Sequence, residues 1–377
     1  MRLPAILLFV AIGSGAHAFE ATGNAVADAM LRAVETAGFA DARADRVSRD
    51  GSSTVLTAVT AGEQNSSTFF AQSIRIDAGL VDADNTLIAE KIEYRRVSIT
   101  TEDDGPASQM DRVTVAPARL VDQRTDARTA SSLLGGFDRL TIERITARST
   151  ADETISAKHF QIEVGPTDGV VSGGIIAEDL TFSPALLDPL AKERLQGLGI
   201  QTLVMDLSAD ATWREAAGEG VLERGRISVD GIGALELSGS VLGLTRTLLE
   251  RYRATANNLT ATLNALGGVS IAAVTMTFED QGLTDKLLAR GAASARLTRA
   301  AYTDVVVETL AAALANLADE AFAERVITAT RKFLGAPGRM TLASSPPKPV
   351  TALQVMTTAI VNPNLLPELL SIEIDAR

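Results

Sequence analysis

The chain has 377 residues, 46% of them apolar and 22% charged, with a mean hydropathy of +0.15. This balance sustains a sizeable core and excludes general disorder, and no run of eighteen apolar residues marks a membrane-spanning helix. The absence of cysteine excludes disulfides, thiolate metal sites and cysteine nucleophiles, and a net charge of −12 sets the chain against nucleic-acid phosphates.

Residues 1–18 read as a secretory signal. Arg2 supplies the positive start, an apolar run of about ten residues follows, and Ala16-His17-Ala18 offers the small-x-small pattern that a signal peptidase reads. The mature chain is expected to begin at Phe19, with 34 basic against 47 acidic side chains, a net charge of 34 − 47 = −13. The expected location is the periplasm, with no transmembrane segment in the mature chain. Val26, Met30, Ala33, Val34 and Ala37 then keep helical spacing between Thr22 and the stop at Gly38.

Beyond that helix an octet recurs: apolar, any, apolar, two mostly polar residues, apolar, any, apolar. Its copies place Phe69, Ala71, Ile74 and Ile76 in the apolar positions, then Leu87, Ala89, Ile92 and Tyr94, then Leu140, Ile142, Ile145 and Ala147. Ile155, Ala157, Phe160 and Ile162 follow, and then Ile175, Ala177, Leu180 and Phe182. Looser copies start at Met110, Ile227 and Val269. The third and sixth positions are an odd step apart, so a flat strand would put them on opposite faces. A β-bulge at the polar dipeptide, or a corner there, returns all four apolar side chains to one side. The spacing predicts bent strands with a single apolar face.

Asp82, Asp84, Thr86, Glu90 and Glu93 fall at ligand positions of a calcium loop, but Leu87 stands where the tight turn needs glycine, which favours a hairpin turn. Asp188-Pro189 caps a helix ending near Gly197, and strict alternation from Leu203 through Met205, Leu207, Ala209 and Ala211 to Trp213 marks a strand. Leu235 and Leu237 continue that pattern, and a helix is expected over residues 242–256. Val306, Leu310, Ala313, Leu314 and Leu317 form one helical stripe, and Phe322, Val326, Ala329 and Phe333 the next, with Asp319 as cap. Gly335 and Pro337 end this αα-hairpin. Pro346-Pro347-Lys348-Pro349 is an extended spacer, and Pro363 and Pro367 break the last helical stretch.

The predicted fold class is α+β, mainly β: an elongated, curved, groove-like sheet of bent strands with an N-terminal helix and a C-terminal helical hairpin. The expected organisation is a signal over 1–18, a β-rich repeat-like body with the N-terminal helix over 19–280, and a helical portion over 281–377 docked on the sheet.

Enzymatic chemistry finds little support. His159 is the single histidine after the signal, so no second imidazole completes a zinc site, and no nucleophile elbow or phosphate-binding glycine loop is present. No catalytic residue, metal or cofactor is expected. The copies Ala71-Gln72-Ser73-Ile74, Ala89-Glu90-Lys91-Ile92, Ala157-Lys158-His159-Phe160 and Ala177-Glu178-Asp179-Leu180 carry a family likeness. With the segment from Phe278 to Leu288 that enters the helical pair, the chain resembles uncharacterised Gram-negative periplasmic families near the AsmA-like group, over about residues 65–340. That resemblance implies a β-groove sheltering acyl chains, or a role in envelope assembly. The expected partner is therefore a lipid or other apolar ligand, lined by Ile74, Ile76, Ile92, Tyr94, Phe160, Ile162, Leu180 and Phe182. The alternative is an envelope protein that docks on a sheet edge or the helical hairpin.

Overall fold

The computed structural model describes residues 21–62, 67–101, 107–120, 137–148, 153–167, 170–255, 267–315 and 319–377. The signal, Ala256 and Leu317 lie outside them. The described chain is mainly β, in open antiparallel sheet, with an N-terminal helix and C-terminal helices. It divides into two compact units.

The first unit takes in described residues up to 165, with 173–193 and 201–204. Helix α1 (Ala25–Thr36) leads into β1 (Ala40–Asp50), β2 (Ser53–Gly62), β3 (Ser67–Asp77), β4 (Leu80–Val81), β5 (Leu87–Ala89) and β6 (Lys91–Thr101). Then come β7 (Ser108–Leu120), β8 (Phe137–Arg148), β9 (Thr154–Thr167) and β10 (Val170–Phe182). The sheet runs β1-β2-β3-β6-β7-β8-β9-β10, antiparallel from β1 to β9. The short β4–β5 hairpin is attached through β5 to β7. Asn24, two residues after the expected start at Thr22, caps α1 by accepting from the N–H groups of Val26 and Ala27.

The odd step in the octet is solved by a corner that several strands share. In β3, Ala71 and Ile74 are both fully buried, while Gln72 between them is exposed. The ladder does not shift across this point: Ala71 faces Val97 and Ile74 faces Tyr94 in one register, so β6 turns the same corner at Arg95-Arg96. β7 and β8 repeat it between Met110 and Val113 and between Ile142 and Ile145. Backbone geometry alternates with strand direction. Ala58 in β2, Arg96 in β6, Arg144 in β8 and Asp179 in β10 are all left-handed, with φ of 48–51°. A second corner separates β5 from β6 at Glu90, which is exposed while Ala89 and Ile92 are buried.

The second unit holds residues 166–172, 194–200 and 205–377. After α2 (Pro189–Gly197) come β11 (Leu203–Arg214), β12 (Glu219–Val229), β13 (Gly233–Leu242), α3 (Arg246–Thr255) and β14 (Ser270–Asp280). Three helices follow: α4 (Leu283–Ala295), α5 (Arg299–Leu314) and α6 (Glu320–Gly335). The chain ends with β15 (Arg339–Ser344), β16 (Val350–Thr351), α7 (Ala352–Val361), the single turn α8 (Leu366–Leu369) and β17 (Ile372–Ala376). The strand order is β11-β12-β13-β14-β15-β17, with β16 beside β14.

Three sequence expectations change here, and one of the two alternatives for the bent strands is met. The looser octet from Ile227 is a hairpin, because Asp230 and the left-handed Gly231 turn the chain between β12 and β13. The octet from Val269 does contain a one-strand bulge, since the register shifts between Val241↔Ile271 and Ser240↔Ala273 and leaves Ala272 as the extra residue. The helix expected over 242–256 begins only at Arg246, because Leu242 still pairs with Ser270 and Gly243 turns at φ +85°. Finally, β15 and β17 lie beyond residue 280 and pair in the sheet with β14, so the sheet of this unit runs across that position. The αα-hairpin is present as α5 and α6, with the Asp319 carboxylate accepting from the Phe322 N–H at 2.8 Å.

Candidate functional site

In the first unit the pairing places Leu56, Ile74, Tyr94, Val113, Ile142 and Phe160 in one row across β2, β3, β6, β7, β8 and β9. A parallel row joins Ile76, Ile92, Val115, Leu140 and Ile162. Helix α1 lies against one end of these rows. Ala27, Met30, Leu31 and Val34 are buried in a single cluster with Leu56, Ile74, Ile76, Ile92 and Tyr94. The Tyr94 hydroxyl lies 3.8 Å from the Met30 sulfur, and burial pushes its pKa up.

The eight expected lining residues therefore separate. Ile74, Ile76, Ile92 and Tyr94 are closed core under α1, which corrects their assignment to an open groove. The helix occupies the space a ligand would need, because its own apolar stripe requires burial. Phe160, Ile162, Leu180 and Phe182 are half-buried. Phe160 and Leu180 pack on the margin of the cluster. The apolar face thus closes at the α1 end and opens towards β9 and β10.

The opposite face is charged. Gln72, Glu90, Lys158 and Glu178, the leading residues of the polar dipeptides, are all exposed. Arg75 bridges Asp50 at 2.7 Å and Asp77 at 2.8 Å, and Lys91 lies 3.4 Å from Asp77. A hydrogen bond from the Ser53 hydroxyl, with support from Arg75 and Lys91, holds the Asp77 carboxyl below the usual carboxylate range despite partial burial. His159 sits half-buried opposite Glu143. The Asp82 carboxylate accepts from the N–H groups of Asp84 and Thr86, as a hairpin turn requires. Among the described residues no group of three His, Cys, Asp or Glu side chains is placed to hold a metal ion.

The second unit repeats the arrangement with different residues. Its ladders align Ile227, Leu235, Phe278, Met340 and Ala376 in one row, and Gly225, Leu237, Met276, Leu342 and Ile374 in the next. Helix α6 covers the β15–β17 end. Ala329 and Phe333 are buried there with Ala376, and the Phe333 ring meets Phe278 edge-on at 6.1 Å. At the other end Ile227, Leu235, Leu237 and Met276 remain 39–41% exposed. The reverse face carries Arg226, Glu236, Thr277, Thr341 and Asp375, with Arg226 at 3.4 Å from Glu236.

These four aliphatic side chains were not among the expected lining residues. The alternation through Leu235 and Leu237 announces a one-sided strand. Its exposure depends on where α6 docks, which no local pattern encodes. Contiguous exposed apolar surface of this kind marks binding sites more often than plain solvent-facing sheet. Chemically, the two open ends offer hydrocarbon contact, with the charged groups on the reverse faces.

A family model described as "Uncharacterized protein" matches residues 226–377, most of the second unit. No curated protein matches the chain.

Proposed function

We propose that this protein is an exported, non-enzymatic protein of the cell envelope that shelters acyl chains or similar apolar ligands on the open ends of its sheets. One observation carries the reading. In each unit a helix closes one end of an apolar sheet face and leaves the other end accessible, at Phe160, Ile162, Leu180 and Phe182 and at Ile227, Leu235, Leu237 and Met276. A sheet built only for stability gains about 25 cal/mol for each Å² of apolar surface it hides, and these ends forgo that gain. Export rests on the signal-like residues 1–18.

Native mass spectrometry and lipid extraction of the purified chain test the proposal. Acyl lipid should be retained at a fixed stoichiometry. Leu237→Asp and Phe160→Asp should each reduce retention while leaving the circular dichroism spectrum unchanged. A lipid-free protein that also fails to bind a fluorescent fatty acid would overturn the reading. A stable protein complex without lipid would turn it into an assembly role.

A further inference from the structure

The stretch from Val350 to Pro367 contains no charged residue in its 18 positions, although 22% of the chain is charged. It holds helix α7, which has no buried residue. Leu353, Ile360 and Val361 share one side of the helix by their i, i+7, i+8 spacing, and they are 58%, 83% and 77% exposed. Leu365, just beyond, is also exposed. This bare stripe is held in place at both ends. Thr351 and Gln354 form a capping box, the Ala352 N–H donates to the Val269 carbonyl at 2.8 Å, and the Ser344 hydroxyl donates to the Leu370 carbonyl at 2.7 Å.

We infer that α7 is a docking element for a neutral, zwitterionic lipid surface, into which Leu353, Ile360 and Val361 insert. The area decides against a second copy or another stable protein partner. A ten-residue helix is about 15 Å long and about 10 Å wide, a footprint of about 150 Å², against roughly 800 Å² per partner in a stable complex. The outer side also lacks the aromatic and arginine anchors that concentrate binding energy between proteins. Inserting side chains into a bilayer carries no such area requirement, and at this length the helix lies in the interface without crossing. Charge selects the lipid. With no cation between Val350 and Pro367 and a net charge of −12 overall, the chain gains nothing from an anionic surface.

The inference stands apart from acyl-chain sheltering by the sheets, and loss of lipid retention there would leave it intact. The full chain would be mixed with vesicles of phosphatidylcholine alone and of phosphatidylcholine with phosphatidylglycerol, and bound protein separated by flotation. Because the chain has no cysteine, Ile360→Cys can carry a single environment-sensitive fluorophore, with Glu373→Cys on β17 as control. The expected result is binding to phosphatidylcholine that the anionic lipid does not increase, with a blue shift at position 360 and none at 373. The triple variant Leu353→Gln, Ile360→Gln, Val361→Gln should bind at least tenfold less, and Ile360→Gln alone should lower binding measurably should the triple variant misfold. Absence of binding, binding that requires phosphatidylglycerol, undiminished binding of the variants, or self-association that the variants abolish would each overturn the inference.

Discussion

The Arg144 guanidinium meets the Asp111 carboxylate at 2.5 Å between β8 and β7, at a position the ladder skips. On either side of it, Met110 faces Ile145 and Arg112 faces Glu143 in unbroken register. The charged pair therefore sits on the outside of the shared corner, with the apolar residues of both strands turned inward. Lys158 and Asp179, at 3.8 Å, do the same between β9 and β10. Both pairs are solvent-exposed, so each contributes no more than about 1 kcal/mol. The corner itself rests on backbone geometry and the apolar cluster.

That geometry is strained wherever a residue other than glycine adopts it, by roughly 1–2 kcal/mol. Arg96 is exposed and left-handed at φ 48°. Arg96→Gly is expected to raise stability by about 0.5–1 kcal/mol, after the entropic cost of glycine. Arg96→Val should lower it by about 1–3 kcal/mol. Urea denaturation checks both, and a destabilised glycine variant would show that the corner is unstrained.

The two ends of the apolar rows should respond differently to truncation. Ile92→Ala in the closed core is expected to cost about 2–5 kcal/mol. Phe160→Ala, at the half-buried end, should cost about half as much or less and should weaken retention of an apolar ligand. Equal losses of stability would mean that the β9 end is core as well.

Docking of α1 depends on a close approach at Gly79. A methyl group there would lie 2.7 Å from the Ile76 Cγ2 and 2.8 Å from the Val26 Cγ1. Gly79→Ala should destabilise the protein by about 1–3 kcal/mol. Combining it with Val26→Ala should cost less than the sum of the two single changes. A thermodynamic cycle of the four proteins measures the difference, and additive costs would contradict the contact.

Acid sensitivity should follow Asp77. Its pKa is lowered in the folded state, chiefly by the Ser53 hydrogen bond. Its stabilising contribution is therefore complete above the unfolded value of about 3.9 and is lost as pH falls through the lower folded value. Ser53→Ala should cost about 1 kcal/mol at pH 7 and progressively less as pH falls below about 3.9. Denaturation across that range tests the sign, and a cost independent of pH would remove Asp77 as its origin.

The first unit was largely legible from residue order, because its octets report inside–outside parity directly. Ala71 and Ile74, three residues apart and both fully buried, show that the odd step meant what it suggested. Bulge and corner remained alternatives, since parity is the same for both and only the unshifted ladder between β3 and β6 separates them. The open surface was less legible. Ile74 and Phe160 occupy equivalent places in their octets and share one row, yet α1 buries the first and leaves the second half-exposed. In the second unit, Ile372 to Ala376 is too short a run to announce an edge strand, and α6 sets the exposure of Leu235 from a distance in sequence.

An ordinary antiparallel sheet is degenerate under a slip of two residues, since each side chain returns to its former face. The crease removes that degeneracy. A two-residue slip of β6 would carry Arg96 away from the turning points of β3 and β7, setting a left-handed residue against extended neighbours. The apolar pairs on one side of the bend would then clash while those on the other parted. Each creased strand of the first unit thus carries an alignment mark like the zero of a vernier, against which its neighbour is set.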